Sequence, residues 1–243
     1  LRTSHQLPEN LSSGLEDFVQ MLLALPEKFD FEGKKITSIH WMKVIAKRGQ
    51  KTQIEEEVLY GAETLTERME LPGGDSLEFE IRPQAFFQVN TLQGEKLYQE
   101  VLKLVGDEDQ ELIFDLFCGT GTIGLFMAQK AKQVLGIEIN PESVAAAKIN
   151  AAKNGVNNID FYCGDVAEVL ENLEEKPSLI VVDPPRAGLT KKAVEYIDGF
   201  GSKKLIYVSC NPATLARDTQ LLSEYGFKLK SVQPVDMFPY TFH

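Results

Sequence analysis

From residue 91 onward the chain alternates short apolar runs with helix-patterned stretches, and this alternation restricts the fold more than any other feature. Strands are expected at 111–116, 133–138, 159–162, 178–182 and 203–208, with a last one at 227–235. Helices are expected at 91–105, 122–131, 141–153, 166–173, 190–198 and 212–224. Leu97, Val101 and Leu104 supply the apolar face of the first helix. Asn140, Pro141 and Gly155 mark the start and end of the third. Strands that alternate with crossover helices pair in parallel, so an α/β fold with a mostly parallel, doubly wound sheet is predicted. Ligands of such sheets bind beyond the carboxyl ends of the strands.

The first eighty or so residues read differently. Residues 12–25 form an amphipathic helix pattern, with Ser13 and Glu16 at capping-box spacing and Leu15, Phe18, Val19, Leu22 and Leu23 on one face. Pro26 is expected to stop it. Strands are expected at 36–46, 54–60 and 76–82, with a Pro72-Gly73-Gly74 turn before the last. Lys47-Arg48-Gly49-Gln50-Lys51 is a polar turn and the most basic local cluster. Residues 1–82 are therefore expected to be a small α+β subdomain that could contact a partner, followed by one α/β domain from 83 to 243.

The length of 243 residues suits such a pair, and 43% hydrophobic residues can bury a real core. No run of about 18 apolar residues exists, so no membrane span is expected. No secretory signal pattern is present. The three cysteines form no C-x-x-C pair, which argues against a zinc or iron–sulfur site and for a reducing, cytoplasmic setting. The net charge of −11 argues against nucleic-acid binding, though a local basic patch can coexist with a negative total.

The chemistry-bearing residues lie at the predicted strand ends. Ile113-Phe114-Asp115-Leu116-Phe117-Cys118-Gly119-Thr120-Gly121 is an apolar run, an acid and a glycine-rich turn, the way a nucleotide-type cofactor site begins. Glu138 ends the second strand, 23 residues after Asp115, where an acid in a Rossmann-like unit holds ribose hydroxyls. Asp165 follows the third strand and is either an acceptor for an adenine amino group or a plain turn acid. Asp183-Pro184-Pro185-Arg186 follows the fourth, with two prolines stiffening the mouth of the site. Cys210 follows the fifth, just before an expected helix capped by Asn211 and Pro212, where the dipole favours an anionic nucleophile. Cys118 and Cys163 read as buried small hydrophobes.

Together these residues resemble the RNA uracil-5-methyltransferase family, which makes 5-methyluridine in ribosomal or transfer RNA. The matching pieces are Phe87-Gln88-Val89-Asn90, Asp115 to Gly121, Gly136-Ile137-Glu138, Asp183 to Gly188, Ser209 to Asp218 and Asp236 to His243. The resemblance implies a class I methyltransferase sheet and S-adenosyl-L-methionine as methyl donor, contacted by Gln88, Phe117, Glu138 and Asp183. It implies Cys210 as nucleophile and RNA as partner, with 23S ribosomal RNA favoured over transfer RNA.

Family members usually carry an N-terminal β-barrel RNA-binding domain, and some an iron–sulfur cluster; neither is seen in this chain. The family's C-terminal motif continues past His243 to a glutamate that acts as general base, and on to a last sheet strand between those at 203–208 and 227–235. The chain is thus expected to be a catalytic-region fragment. Two competing readings are an amino-group nucleobase methyltransferase, which needs no cysteine, and a non-catalytic module that binds S-adenosylmethionine or RNA.

Overall fold

The structure, a computed structural model, describes residues 2–4, 11–29, 33, 35–46, 53–239 and 241, with backbone only for 2–4 and 11–13. The basic turn at 47–51, the Ser13 side chain and Tyr240, Phe242 and His243 lie outside the described residues. Two compact units divide the chain, Leu1–Leu65 and Thr66–His243.

The first unit holds strand β1 (Arg2–Ser4), helices α1 (Leu11–Leu23) and α2 (Leu25–Lys28), and strands β2 (Ser38–Ile45) and β3 (Gln53–Gly61). Pro26 does not end α1; it sits in the first turn of α2, where its missing N–H costs nothing. Val19 is the buried member of the expected α1 face. The sheet order is β1-β2-β3, with β1 parallel and β3 antiparallel to β2. Ile39 and Trp41 are its buried residues, and the Lys43 amine lies 4.1 Å from the Trp41 ring centre.

The second unit opens on a hairpin, β4 (Leu65–Glu70) and β5 (Ser76–Ile81), around the Pro72-Gly73-Gly74 turn. The turn's strand partner is thus 65–70, not 54–60. The hairpin sends Met69, Leu77 and Phe79 into the core of the parallel sheet. Two asparagines of helix α5 (Pro141–Lys153) and its C-cap hold the β5 backbone: Asn150 Oδ1 accepts from Glu80 N–H at 2.8 Å, and Asn154 Oδ1 from Glu78 N–H at 2.8 Å. Asn154 Nδ2 donates back to Glu78 O at 2.7 Å. A strand edge satisfied in this way belongs to the unit that supplies the asparagines. The division therefore falls at 65/66, upstream of the expected boundary at 82.

The remaining elements are α3 (Thr91–Val105), β6 (Gln110–Leu116), α4 (Thr122–Met127) with a 3-10 turn Ala128–Lys130, β7 (Ala131–Glu138), β8 (Ile159–Cys163), α6 (Val166–Glu171), β9 (Leu179–Val182), α7 (Lys191–Gly199), β10 (Leu205–Tyr207) and α8 (Pro212–Glu224). The five strands β6 to β10 form one parallel sheet of order β10-β9-β6-β7-β8. Successive residues point to opposite faces, so Ile113 joins the core beneath α3, α4 and α5 while Phe114 and Leu116 join the one beneath α6, α7 and α8. Both faces are covered, which is why the strands read as continuous apolar runs. No helix among the described residues is long and apolar enough to cross a membrane.

Three further expectations need correction. Residues 227–236 form no strand: they lie outside any ladder, with Leu229 and Val232 exposed. Strand propensity yields no ladder where no strand lies alongside to exchange hydrogen bonds. On α3, Leu104 faces outward and the buried set is Gly94, Tyr98, Val101, Leu102 and Val105. Cys163 is exposed rather than buried, because it is the last residue of the edge strand β8.

Candidate active site

The parallel register carries the chemistry of the sequence to one edge of the sheet. Leu116 pairs with Ile137 on one side and Val182 on the other, Glu138 with Cys163, and Tyr207 with Val182. The segments that follow these strands, carrying Phe117, Glu138, Asp165, Asp183 and Cys210, therefore leave the sheet side by side.

The turn after β6 is held in an unusual backbone state. Phe117 has φ 64°, the one non-glycine residue with positive φ among those described. A bulky residue in that region costs about 1–2 kcal/mol. Neighbouring bonds hold it there: Cys118 N–H donates to Ile137 O at 3.0 Å and Gly121 N–H to Cys118 O at 2.8 Å. Gly121, at φ 79°, is wedged so tightly that a Cβ would stand 2.9 Å from the Phe161 ring. Gly119 is the opposite case, with open space where a Cβ would be. Glu138 closes the turn from the next strand. Its Oε2 accepts from Gly119 N–H at 3.1 Å and its Oε1 from Asn140 N–H at 2.8 Å.

Beneath the turn lies a buried acidic group. Asp115 has no exposed surface, and neither of its oxygens has a hydrogen-bond partner among the described residues. Burial first, and the Asp183 charge second, push its carboxyl up to about 8; the Gly124 amide pulls the other way without completing a hydrogen bond. Burial also raises Asp183, to about 7. Tyr98 of α3 faces both acids; its phenol is raised by burial first and then by their charges. The side chains of Gln88 and Thr122 lie close enough to Tyr98 to pull its phenol the other way. Gln88 belongs to the loop at 86–90 that leads into α3. Phe87 anchors that loop by packing 5.6 Å from Phe79, while Phe86 and Val89 are exposed.

On the other side of β6, the Asp183 N–H donates to Leu116 O at 3.2 Å, so Asp183 starts its loop directly beside the glycine turn. Cys210 is exposed and lies just ahead of α8. Asn211 caps that helix, accepting from Ala213 N–H at 3.1 Å, and Ser209 Oγ brackets it by donating to Asn211 O at 3.0 Å and accepting from Asn211 N–H at 3.1 Å. Cys118 is buried inside the turn. Asp165 is the N-cap of α6, its Oδ1 accepting from Ala167 and Glu168 N–H at 2.9 and 3.3 Å. Sequence reasoning missed Tyr98 and the isolation of Asp115. An acid inside an apolar strand was the visible signal for the second; a tyrosine in a helix carries none.

The sequence model of the tRNA (uracil-5-)-methyltransferase family matches residues 34–243. An uncharacterised RNA methyltransferase of Caldanaerobacter subterraneus subsp. tengcongensis is 49% identical over 187 residues, 77% of this chain and 40% of that protein. One of Protochlamydia amoebophila is 41% identical over 239 residues, 95% of this chain and 54% of that protein. The chain thus spans about half the length of these curated relatives. The Pyrococcus abyssi tRNA (uracil-54, C5)-methyltransferase, solved with S-adenosyl-L-homocysteine, superposes with a TM-score of 0.67 at 27% identity, over 99% of this chain and 53% of that one. By the extent of the family match, the chain belongs to the tRNA (uracil-5-)-methyltransferase family.

Proposed function

We propose that the protein transfers a methyl group from S-adenosyl-L-methionine to C5 of a uridine in RNA, with Cys210 as covalent nucleophile. The observation that carries this reading is the convergence of an exposed cysteine, the half-buried Asp183 and a glycine turn on one sheet edge. The residues suit the donor: Gly119 leaves open space beside the turn, and the Glu138 carboxylate reaches that turn from β7. Glu138 would hold the ribose, Asp165 the adenine amino group, and Gln88, Phe117 and Asp183 the remainder. When bound, the donor supplies an electrophilic methyl carbon.

Uracil C5 is a poor nucleophile. The Cys210 thiolate adds to C6, pushing electrons toward O4 and leaving C5 as an enolate carbon, which would form a bond to the donor's methyl carbon as that carbon's bond to sulfur breaks and the thioether leaves. Loss of the C5 proton to a base then restores the C5–C6 double bond and expels the thiolate. The target base must leave its stack to reach the cysteine. Replacing Cys210 by Ala tests the reading: methyl transfer to RNA should vanish while donor binding persists. Retained transfer by the folded variant would favour amino-group methylation. Mapping 5-methyluridine in ribosomal and transfer RNA from cells lacking the protein decides the RNA class.

A further inference from the structure

The loop after Asp183 and the helix after Cys210 are joined by a buried carboxylate that the reaction above does not use. Asp218, two turns into α8, has no exposed surface. Its Oδ2 accepts from Leu189 N–H at 2.7 Å and from the Tyr207 hydroxyl at 2.7 Å. Its Oδ1 accepts from Arg217 Nε at 2.8 Å and Nη2 at 2.6 Å. Arg217 Nη2 also donates to Ala187 O at 2.7 Å, and Asn211 Nδ2 to Arg186 O at 3.3 Å. The backbone of 186, 187 and 189 is thus gripped by one helix and its cap. Gly188 makes the grip possible: at φ 78°, a Cβ there would stand 2.3 Å from Asp218 Oδ2. Tyr207 ends β10, three residues before Cys210.

We infer that Asp218 is a positioning residue that sets Cys210 against Asp183, by locking the loop after β9 onto α8 so that the two sides of the site move as one body. Two of its four bonds come from outside its own helix and two from Arg217, whose charge it neutralises, and the accepting carboxylate is itself fully buried. Arg217 is consequently a strut of the site, held by Asp218 and by the carbonyls of Ala187 and Leu189. Without the lock, α8 and the loop can shift independently. A misplacement of about 1 Å costs on the order of a hundredfold in rate while leaving ground-state binding largely intact.

The inference rests on the methyl-transfer reading only for its rate measurement. In the full chain, Asp218→Asn and Tyr207→Phe are compared with the parent by thermal melting, hydrogen exchange and methyl transfer to RNA. For Asp218→Asn, exchange should rise together in 186–190 and 208–213 and stay unchanged in β6 and β7. The kcat should fall about tenfold to a hundredfold with KM within about threefold. Tyr207→Phe should show the same pattern, smaller. A folded Asp218→Asn protein with parental kcat, or with exchange raised in one segment only, overturns the inference. Should Asp218→Asn not fold, Tyr207→Phe decides: a severalfold loss in kcat supports the lock, and parental kcat refutes it. Should the parent transfer no methyl group, joint or separate loosening of the two segments in hydrogen exchange still decides the coupling, independently of the functional reading.

Discussion

Asp115 and Glu138 show how one kind of side chain takes opposite roles on two neighbouring strands. Asp115 is sealed under the glycine turn with Asp183 as its charged neighbour, and burial raises both. Their folded values, about 8 and about 7, lie above the unfolded carboxylate value of roughly 4. Between these limits the native state holds protons that the unfolded chain has lost. The stability they contribute is therefore complete below about pH 4 and is lost as pH rises through about 8. Asp115→Asn fixes the neutral form, so it should raise stability at pH 8 by a few kcal/mol, roughly, and leave pH 4 nearly unchanged. Thermal melts at the two values test this; parallel losses in parent and variant would show that Asp115 is ionised without penalty. Glu138, by contrast, is engaged by two backbone amides and can still accept from a ligand. Glu138→Ala should weaken S-adenosylmethionine binding by about one to two decades, since bonds to a charged acceptor are worth roughly 1.5–3 kcal/mol. Unchanged affinity by calorimetry would displace the ribose site.

Among the elements, the contrast is between β5 and residues 227–236. Both carry strand-forming residues. β5 gains a partner in β4 on one side and asparagine amides of α5 on the other, and it buries Leu77 and Phe79. Residues 227–236 have no ladder, and only Phe227 at their start packs against the core. Hydrogen exchange of 227–236 should be fast, opening at a cost near zero, while β6 and β9 open only at a cost approaching the global stability. Slow exchange across 227–236 would reveal a partner for that segment.

At the scale of the whole molecule, the chain divides into two compact units. Residues 66–243 contain both faces of the parallel sheet, the hairpin that docks on it and every candidate site residue. That segment expressed alone should fold cooperatively and bind S-adenosylmethionine as the longer chain does; a non-cooperative melt would mean that the first 65 residues complete its core. The sequence by itself determined the alternation of β6 to α8, because strands buried on two faces must be apolar throughout and helices buried on one must show a 3.6-residue period. It also determined the turn and cap chemistry around Gly119, Asn140 and Asn211, because those signals act within a few residues. It could not place β1, which is three residues long and takes its order from β2, nor predict that 227–235 would remain outside a sheet. Those depend on what lies alongside. Nor could it place the domain division, which turns on Asn150 and Asn154 meeting a strand some seventy residues earlier. Only the tertiary structure isolated Asp115, put Tyr98 between Gln88 and Thr122, and joined Asp218 to the loop after Asp183. Burial and long-range hydrogen bonds are properties of the packed chain, and no local pattern encodes them.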